Sequence, residues 1–151
     1  MPKKVLACAA ILCVGLVLTG CTPAVRGLVG VTLSDSGAPI AIFAPCEGEV
    51  DAMLLYESNG GRVGDEVARW DFKVDREQFK ILPALAGTDR DTRFELRAWS
   101  DQDKRLNYTW FRIADLEALE EGEVLFGDPT KHDVSLVGSE GEFLAAACPE
   151  T

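Results

Sequence analysis

The sequence predicts an all-β domain, and two features of its pattern support that prediction. Apolar and polar residues alternate with period two over several short segments, as they do in strands with one buried face. Clusters of Gly, Asn, Asp and Ser separate these segments at intervals of about 8–12 residues, the spacing typical of a sandwich. We therefore expect a β-sandwich of roughly 7–9 short antiparallel strands with one short helical turn, and a barrel is the alternative.

The clearest alternation lies in residues 68–74, where Ala, Trp, Phe and Val alternate with Arg, Asp and Lys. Residues 93–98 repeat this pattern, and residues 78–81 show a shorter version of it. Residues 50–56 are apolar on both phases apart from Asp51, which favours a more central strand. Further candidate strands are residues 28–33, 40–44, 106–113, 134–137 and 143–148, the last of which would end the domain.

The connections between these segments have the composition of turns. Asn59-Gly60-Gly61 lies between two strand segments and predicts a hairpin. Other turn-like clusters are residues 34–37, 87–89 and 101–103. Residues 114–121 differ, because Leu116 and Leu119 are three apart and Gly122 follows. This segment predicts one or two helical turns.

The first twenty residues have the composition of a targeting segment. Lys3 and Lys4 supply a positive start, and residues 5–18 form an apolar run of fourteen residues. A bilayer-spanning helix needs about 20 apolar residues, so the run is too short to span and fits a signal peptide. It ends in Leu18-Thr19-Gly20-Cys21.

This tetrapeptide resembles the lipobox of bacterial lipoproteins. The resemblance implies that the Cys21 sulfur receives a diacylglyceryl group and that the Gly20–Cys21 bond is cleaved. Two acyl chains suffice for stable anchoring to a membrane. The implied organisation is a signal peptide at 1–20, a lipidated N-terminus and tether at 21–26, and a sandwich domain at 27–151. The domain would then lie at the cell membrane on its extracytoplasmic side.

The cysteine count follows from this organisation. Of five cysteines, two leave with the signal peptide and Cys21 carries lipid, so Cys46 and Cys148 remain. The compartment permits disulfides, and we expect one intramolecular bridge closing a loop of roughly 100 residues. Two free thiols or pairing between chains are the alternatives. A redox centre is disfavoured, because no C-x-x-C motif is present and Glu47 and Glu150 would raise the thiol pKa values.

The cysteine positions bear on the type of sandwich. In immunoglobulin domains a disulfide joins two inner strands, and a Tyr stands two residues before the second Cys. Here the spacing is wider, and position 146 is Ala rather than Tyr. We therefore expect an immunoglobulin-like sandwich by architecture only, with a bridge that ties the C-terminal strand to the loop after an early strand.

The charge of the chain restricts its partners. The formal charge is −10, and loss of Lys3 and Lys4 with the signal peptide makes it −12. Nucleic acids and anionic lipid surfaces attract basic patches, so we expect no nucleic-acid partner. A strongly acidic domain is suited to solubility or to a cationic partner.

No motif for metal binding or catalysis emerges from the sequence. His132 is the only histidine, which excludes a metal site built from several histidines. The sequence also contains no G-x-S-x-G motif, which would carry the nucleophilic serine of a catalytic triad. Asp101-Gln102-Asp103 lacks the later Gly and Glu of a calcium loop. The carboxylates at 117–123 are neighbours in sequence, which does not make a catalytic cleft. We expect no catalytic residue, metal or cofactor.

Three aromatic residues form the candidate binding face. Trp99 is on the outward phase of its strand beside Arg97, and Tyr108 and Trp110 share one phase. Exposed aromatic residues on a sandwich face can bind glycans or proteins. We therefore expect a non-enzymatic module that binds an envelope protein or a cell-wall component. A small-molecule or metal carrier, and a hydrolase with an unrecognised carboxylate site, are the alternatives.

Overall fold

Antiparallel strands in two facing sheets make up most of the chain that the computed structural model describes, namely residues 27–59, 62–74, 79–80, 85–100 and 105–149. The expected signal peptide, Cys21 and the tether lie outside these ranges, as do the turn at 101–103 and parts of the strand at 78–81. The predicted all-β sandwich is confirmed.

In chain order the elements are β1 (Gly27–Leu33), β2 (Pro39–Pro45), β3 (Val50–Asn59), β4 (Arg62–Val74), β5 (Phe79–Lys80), β6 (Arg93–Ser100), β7 (Thr109–Arg112), α1 (Ile113–Glu117), β8 (Glu123–Gly127), β9 (Ser135–Ser139) and α2 (Glu140–Ala147). One sheet has the strand order β5-β2-β1-β8-β9, and the other has the order β4-β3-β6-β7. The two sheets enclose the main core.

The alternation in residues 93–98 is confirmed by strand β6. Phe94, Leu96 and Ala98 are buried in the main core, and the Phe94 ring stacks on that of Phe111 with centroids 5.7 Å apart. Ala68 and Trp70 of β4 pack partly buried against the same core. The residues of β6 that alternate with these three therefore face away from the core.

The hairpin predicted at Asn59-Gly60-Gly61 agrees with the pairing of β3 and β4. Asn59 and Arg62 are paired antiparallel, and residues 60–61 between them lie outside the described part of the chain. The short helix at 114–121 is also confirmed. It is α1, after which the Leu119 N–H donates to the Leu116 carbonyl and Gly122 has a φ of +85°.

The prediction of a final strand at 143–148 is wrong, because this segment belongs to helix α2. Ser139 and Glu142 form a capping box: the Ser139 hydroxyl accepts from the Glu142 N–H, and the Glu142 carboxylate accepts from the Ser139 N–H. Such a box satisfies two of the free N–H groups at a helix start. The alanines that follow have high helix propensity, so local signals favour the helix.

Helix α2 covers the outer face of the five-stranded sheet and forms a second apolar cluster there. Phe143 packs edge-on against Phe126 of β8, with centroids 5.6 Å apart. Gly30 of β1 allows this close approach, since a Cβ there would lie 3.1 Å from the Phe143 ring and 2.9 Å from Val124. The end of the described chain is therefore a helix packed on the sheet and not a further strand within it.

The Cys46–Cys148 disulfide is present, with the Cα atoms 5.5 Å apart. It joins the residue after β2 to the residue after α2, across 102 positions of sequence. The bridge therefore fixes a C-terminal helix, not a C-terminal strand, to the five-stranded sheet.

The missed strand is β8. Its sequence, Glu-Val-Leu-Phe-Gly, contains the continuous apolar run Val-Leu-Phe and shows no alternation. Such runs occur in strands buried on both faces. Leu125 contributes to the main core, whereas Val124 and Phe126 contribute to the cluster beneath α2.

The described helices are also short. None of those in the ranges given above is long and apolar enough to cross a membrane.

Candidate functional site

The outer face of the four-stranded sheet carries a cluster of arginine and aromatic side chains. Strand β6 directs Arg93, Glu95 and Arg97 to this face, because the intervening positions point into the core. Glu95 is paired with Tyr56 of β3 on one side and with Trp110 of β7 on the other. Residues paired across an antiparallel ladder share a face.

These side chains contact one another in a continuous row. The Arg97 guanidinium lies 5.3 Å from the Tyr56 ring centre and 5.4 Å from that of Tyr108. Tyr108 meets Trp110 edge-on at 5.7 Å, and the Arg93 guanidinium lies 4.4 Å above Trp110. We call this row, together with Glu95, the arginine–aromatic face.

Glu95 lies beneath the row and is fully buried, with 0% of its surface exposed. One carboxylate oxygen accepts from the Arg97 Nε–H. The other oxygen, Oε2, has no hydrogen-bond partner among the residues that the structure describes. Because Arg97 is held both by this carboxylate and by two rings, its guanidinium is fixed while 22% of the side chain remains exposed.

Trp110 is covered from outside by Arg93, which is itself bonded to the loop between β8 and β9. Arg93 spans the indole ring and donates from Nη2 to the Asp133 carbonyl at 2.9 Å. The loop is closed by the Asp128 N–H, which donates to the Val134 carbonyl at 2.8 Å. Only 6% of Trp110 is exposed, so this residue supports the face rather than forming its contact surface.

The three aromatic residues of the predicted binding face therefore differ in exposure. Tyr108 and Trp99 are half-buried, whereas Trp110 is buried. All three lie on the outer face of the sheet, but only Tyr108 and Trp110 contact each other in the row of rings. Trp99 pairs with Ala52 and forms a bridge with Arg105, two residues beyond Arg97 on β6.

The environment of Tyr108 is both buried and acidic. Burial raises the pKa of its hydroxyl, and the negative charges of Glu95 and Asp133 raise it further. The cations Arg97 and Arg105 oppose this effect. Tyr108 therefore stays protonated and keeps an O–H donor at neutral pH.

A groove of about 490 Å³ adjoins the arginine–aromatic face where β7, β9 and α1 meet. We call it the seam groove; it is lined by Arg93, Trp110, Phe111, Arg112, Asp115, Ala118, Leu125, Ser135 and Val137. The Ser135 hydroxyl closes the seam, since it donates to the Trp110 carbonyl at 2.7 Å and accepts from the Trp110 N–H at 3.1 Å.

No metal centre or nucleophile triad stands out in the described part of the chain. No group of three or more His, Cys, Asp or Glu residues there could hold a metal ion. His132 is exposed in the loop between β8 and β9.

Comparisons with protein-family models, with curated proteins and with solved structures found no match for this chain.

The alternating pattern does not single out Glu95, Arg93 or Arg97 as site residues. It places Glu95 on the polar side of a half-buried strand, where a charged side chain is ordinarily solvated. A signal for its burial exists in the sequence, because Arg93 and Arg97 flank it on the same phase. The aromatic partners are Tyr56 of β3, Trp110 of β7 and Tyr108, which directly precedes β7. Only the strand order reveals that they lie beside β6.

Proposed function

We propose that this chain is a lipid-anchored, extracytoplasmic binding module whose partner, an envelope protein or a wall component, docks on the arginine–aromatic face. The observation that carries the proposal is the fixed Arg97 guanidinium between Tyr56 and Tyr108. Arg, Tyr and Trp are the residue types most enriched where binding energy concentrates.

Preorganisation is the physical reason why this arrangement favours binding. A flexible arginine loses about 0.5–1.5 kcal/mol of side-chain freedom when a partner immobilises it. Arg97 is already immobilised by Glu95 and by two rings, so less of that cost falls on the binding step. The exposed part of Arg97 still offers N–H groups to a carbonyl or carboxylate of the partner.

The extracytoplasmic address rests on two supports. The first is the lipobox-like sequence that ends at Cys21. The second is the Cys46–Cys148 disulfide, a bond that persists in oxidising compartments and is rare in the cytosol. Mass spectrometry of the mature protein tests the anchor, which requires an N-terminal Cys21 carrying two acyl chains on its sulfur-linked glycerol. An unmodified Cys21 would refute it.

The proposed role is non-enzymatic. The chain has one histidine and lacks a nucleophile elbow, and its arginine–aromatic face contains a single carboxylate, Glu95. Carboxylate pairs of the glycosidase type need two such groups about 5–10 Å apart across a cleft.

A photo-cross-linking side chain placed at Trp99 tests the docking face in intact cells. Leu144, which is 42% exposed on α2 at the opposite side of the molecule, is the matched control position. We expect one defined adduct from position 99, either a protein band or material retained with the wall fraction, and none from position 144. Equal labelling from both positions, or no adduct from position 99, would overturn the proposal.

A second candidate function is the carriage of a small molecule in the seam groove. Its volume of about 490 Å³ falls within the range of about 300–1,000 Å³ that ligand pockets occupy. Native mass spectrometry of protein purified from its own host would reveal a bound species, and a bare polypeptide mass would count against this candidate.

A further inference from the structure

Within the described ranges of the chain, strand β9 is an open edge of its sheet and lacks the usual protection. From Ser135 to Ser139 it reads Ser-Leu-Val-Gly-Ser, with no charged residue and no proline. The other sheet ends in β4, which carries six charged residues and pairs with β3 through register shifts. Charges and bulges are the common means of preventing an edge from pairing with another chain.

The nearby edge of β7 is occupied. The Ser135 hydroxyl forms hydrogen bonds with both the N–H and the carbonyl of Trp110. The Asp115 carboxylate accepts a hydrogen bond from the Arg112 N–H at 2.7 Å. The protein therefore blocks one of two adjacent edges with its own side chains and leaves β9 open.

The N–H and carbonyl groups of Val137 lie in the plane of the sheet and point away from β8, toward the open edge. The Gly127 N–H donates to the Thr109 hydroxyl, and the Ser139 N–H donates to Glu142, so neither group bonds across the β8–β9 ladder. Bonded and non-bonded pairs alternate along an antiparallel ladder. Val137, paired with Leu125 midway between those two positions, therefore directs its N–H and carbonyl away from β8.

The side chains of this edge are also exposed and apolar. Val137 is 53% exposed at the rim of the seam groove, and Leu136 is 40% exposed on the other face of the strand. An apolar edge with free backbone groups matches one kind of occupant, which is a further β-strand.

We infer that β9 pairs antiparallel with β9 of a second copy of this chain, about a two-fold axis through Val137. In this register Val137 faces Val137 of the second copy, and both exchange their free N–H and carbonyl groups. Leu136 then faces Gly138 of the second copy, where the absence of a side chain leaves room. The five-stranded sheets of the two copies join into one continuous sheet.

The charges at the ends of β9 favour this antiparallel, self-complementary pairing. The Ser135 end carries charges of both signs, because Arg93 lines the same groove as Ser135 and bonds to the backbone of the acidic residue Asp133. Glu123 and Glu140 lie at the Ser139 end, one paired with Ser139 and the other following it. The two-fold axis brings the mixed Ser135 end of each copy beside the glutamate end of the other, whereas a parallel arrangement would place the two glutamate ends together.

The contact is small, since a five-residue strand forms it. Interfaces of this size are weak in dilute solution. Anchoring both copies in one membrane, as proposed above, raises their effective concentration and favours the dimer. The pairing leaves the arginine–aromatic face open, and it does not depend on what binds there.

Cysteine cross-linking of the full-length chain in intact cells tests this register. At the two-fold axis, the Val137 Cα atoms would be about 5.5 Å apart, within the range that a disulfide bridges. The Leu136 Cα atoms would be offset by two residues and more than about 8 Å apart, beyond that range. Leu136→Cys is thus a matched control on the same strand.

On mild oxidation we expect Val137→Cys to give about tenfold more covalent dimer than Leu136→Cys, because only the former meets the geometry of a disulfide. Equal yields from the two variants would indicate random collision and overturn the inference, as would the absence of dimer from Val137→Cys. The same oxidation of purified full-length chain, at high concentration, separates failed pairing from failed export.

Discussion

Glu95 and Trp110 lie directly opposite each other on β6 and β7, and both are buried although they point away from the main core. Arg93 and Arg97 cover them from the solvent side, one over the indole ring and one bonded to the carboxylate. The outer face of a sheet is ordinarily in contact with water. Here it is covered by a layer of arginine side chains stacked on aromatic rings.

Removal of the Glu95 carboxylate should destabilise the fold. In Glu95→Ala, Arg97 loses its partner in a half-buried site, and we expect the free energy of unfolding to fall by about 2–3 kcal/mol. Glu117→Ala is the matched control, because the ion pair of Glu117 with Arg90 is exposed to solvent. Exposed pairs contribute about 0–1 kcal/mol. Urea unfolding compares the two, and similar losses would show that burial adds nothing to the Glu95 pair.

The hydroxyl of Thr109 links the two sheets inside the core, and its loss should also be costly. It donates to the Val29 carbonyl at 2.6 Å and accepts from the Gly127 N–H at 3.0 Å. Thr109→Val keeps the shape and leaves both groups unpaired, so we expect a loss of about 2–3 kcal/mol. Thr109→Ser keeps the hydroxyl and removes one methyl group, at a cost of about 1 kcal/mol. Denaturant unfolding measures both losses. A larger loss in free energy of unfolding for Thr109→Ser than for Thr109→Val would contradict this role of the hydroxyl.

The disulfide should contribute strongly to stability because it closes a long loop. For Cys46 and Cys148, 102 positions apart, the loss on reduction should approach about 4 kcal/mol. Cys46→Ser, Cys148→Ser and the double variant should lose the same amount, since either single change already breaks the bridge. Guanidinium unfolding of the three variants checks this expectation, and additive losses from the two single changes would refute it.

The alternation of apolar and polar residues identified the strands that have one buried and one polar face. It failed for the strand whose two faces are both buried against apolar residues. Strand β6 alternates because one face meets the core and the other meets charged groups. Strand β8 packs against the core on one face and against α2 on the other, so its three central residues, Val124, Leu125 and Phe126, are all apolar. Such a strand has no periodicity to detect.

The candidate site was only partly accessible from the sequence, for a different reason. The alternation alone places Trp110 of β7 on the same side as Tyr108, which directly precedes β7, and it places Trp99 beside Arg97 on β6. Strand order was needed to bring Tyr56 of β3 to the same row. Arg93 covers Trp110 and donates to the carbonyl of Asp133, a residue that lies in the loop between β8 and β9 with a φ of 61°. This contact joins residues far apart in sequence, so local patterns do not reveal it.

The start of helix α2 should respond to pH through Glu142. The Ser139 N–H, and then the Ser139 hydroxyl, hold the pKa of the Glu142 carboxyl below its ordinary value. A carboxyl whose pKa is lowered by folding stabilises the protein above the ordinary pKa, and this contribution disappears as the pH falls through the lowered value. The capping bonds should therefore be fully effective at neutral pH and fail in acid.

Glu142→Gln removes the charge that these bonds require, and we expect its Tm to lie a few degrees below that of the parent at neutral pH. Glu140→Gln is the matched control, because Glu140 lies in the same first turn and outside the capping box. Thermal unfolding followed by circular dichroism should show the Glu142→Gln difference shrinking as the pH falls below about 4, since the parent carboxylate is then protonated as well. A difference that is independent of pH, or equal for both variants, would show that the Glu142 carboxylate does not act through the cap.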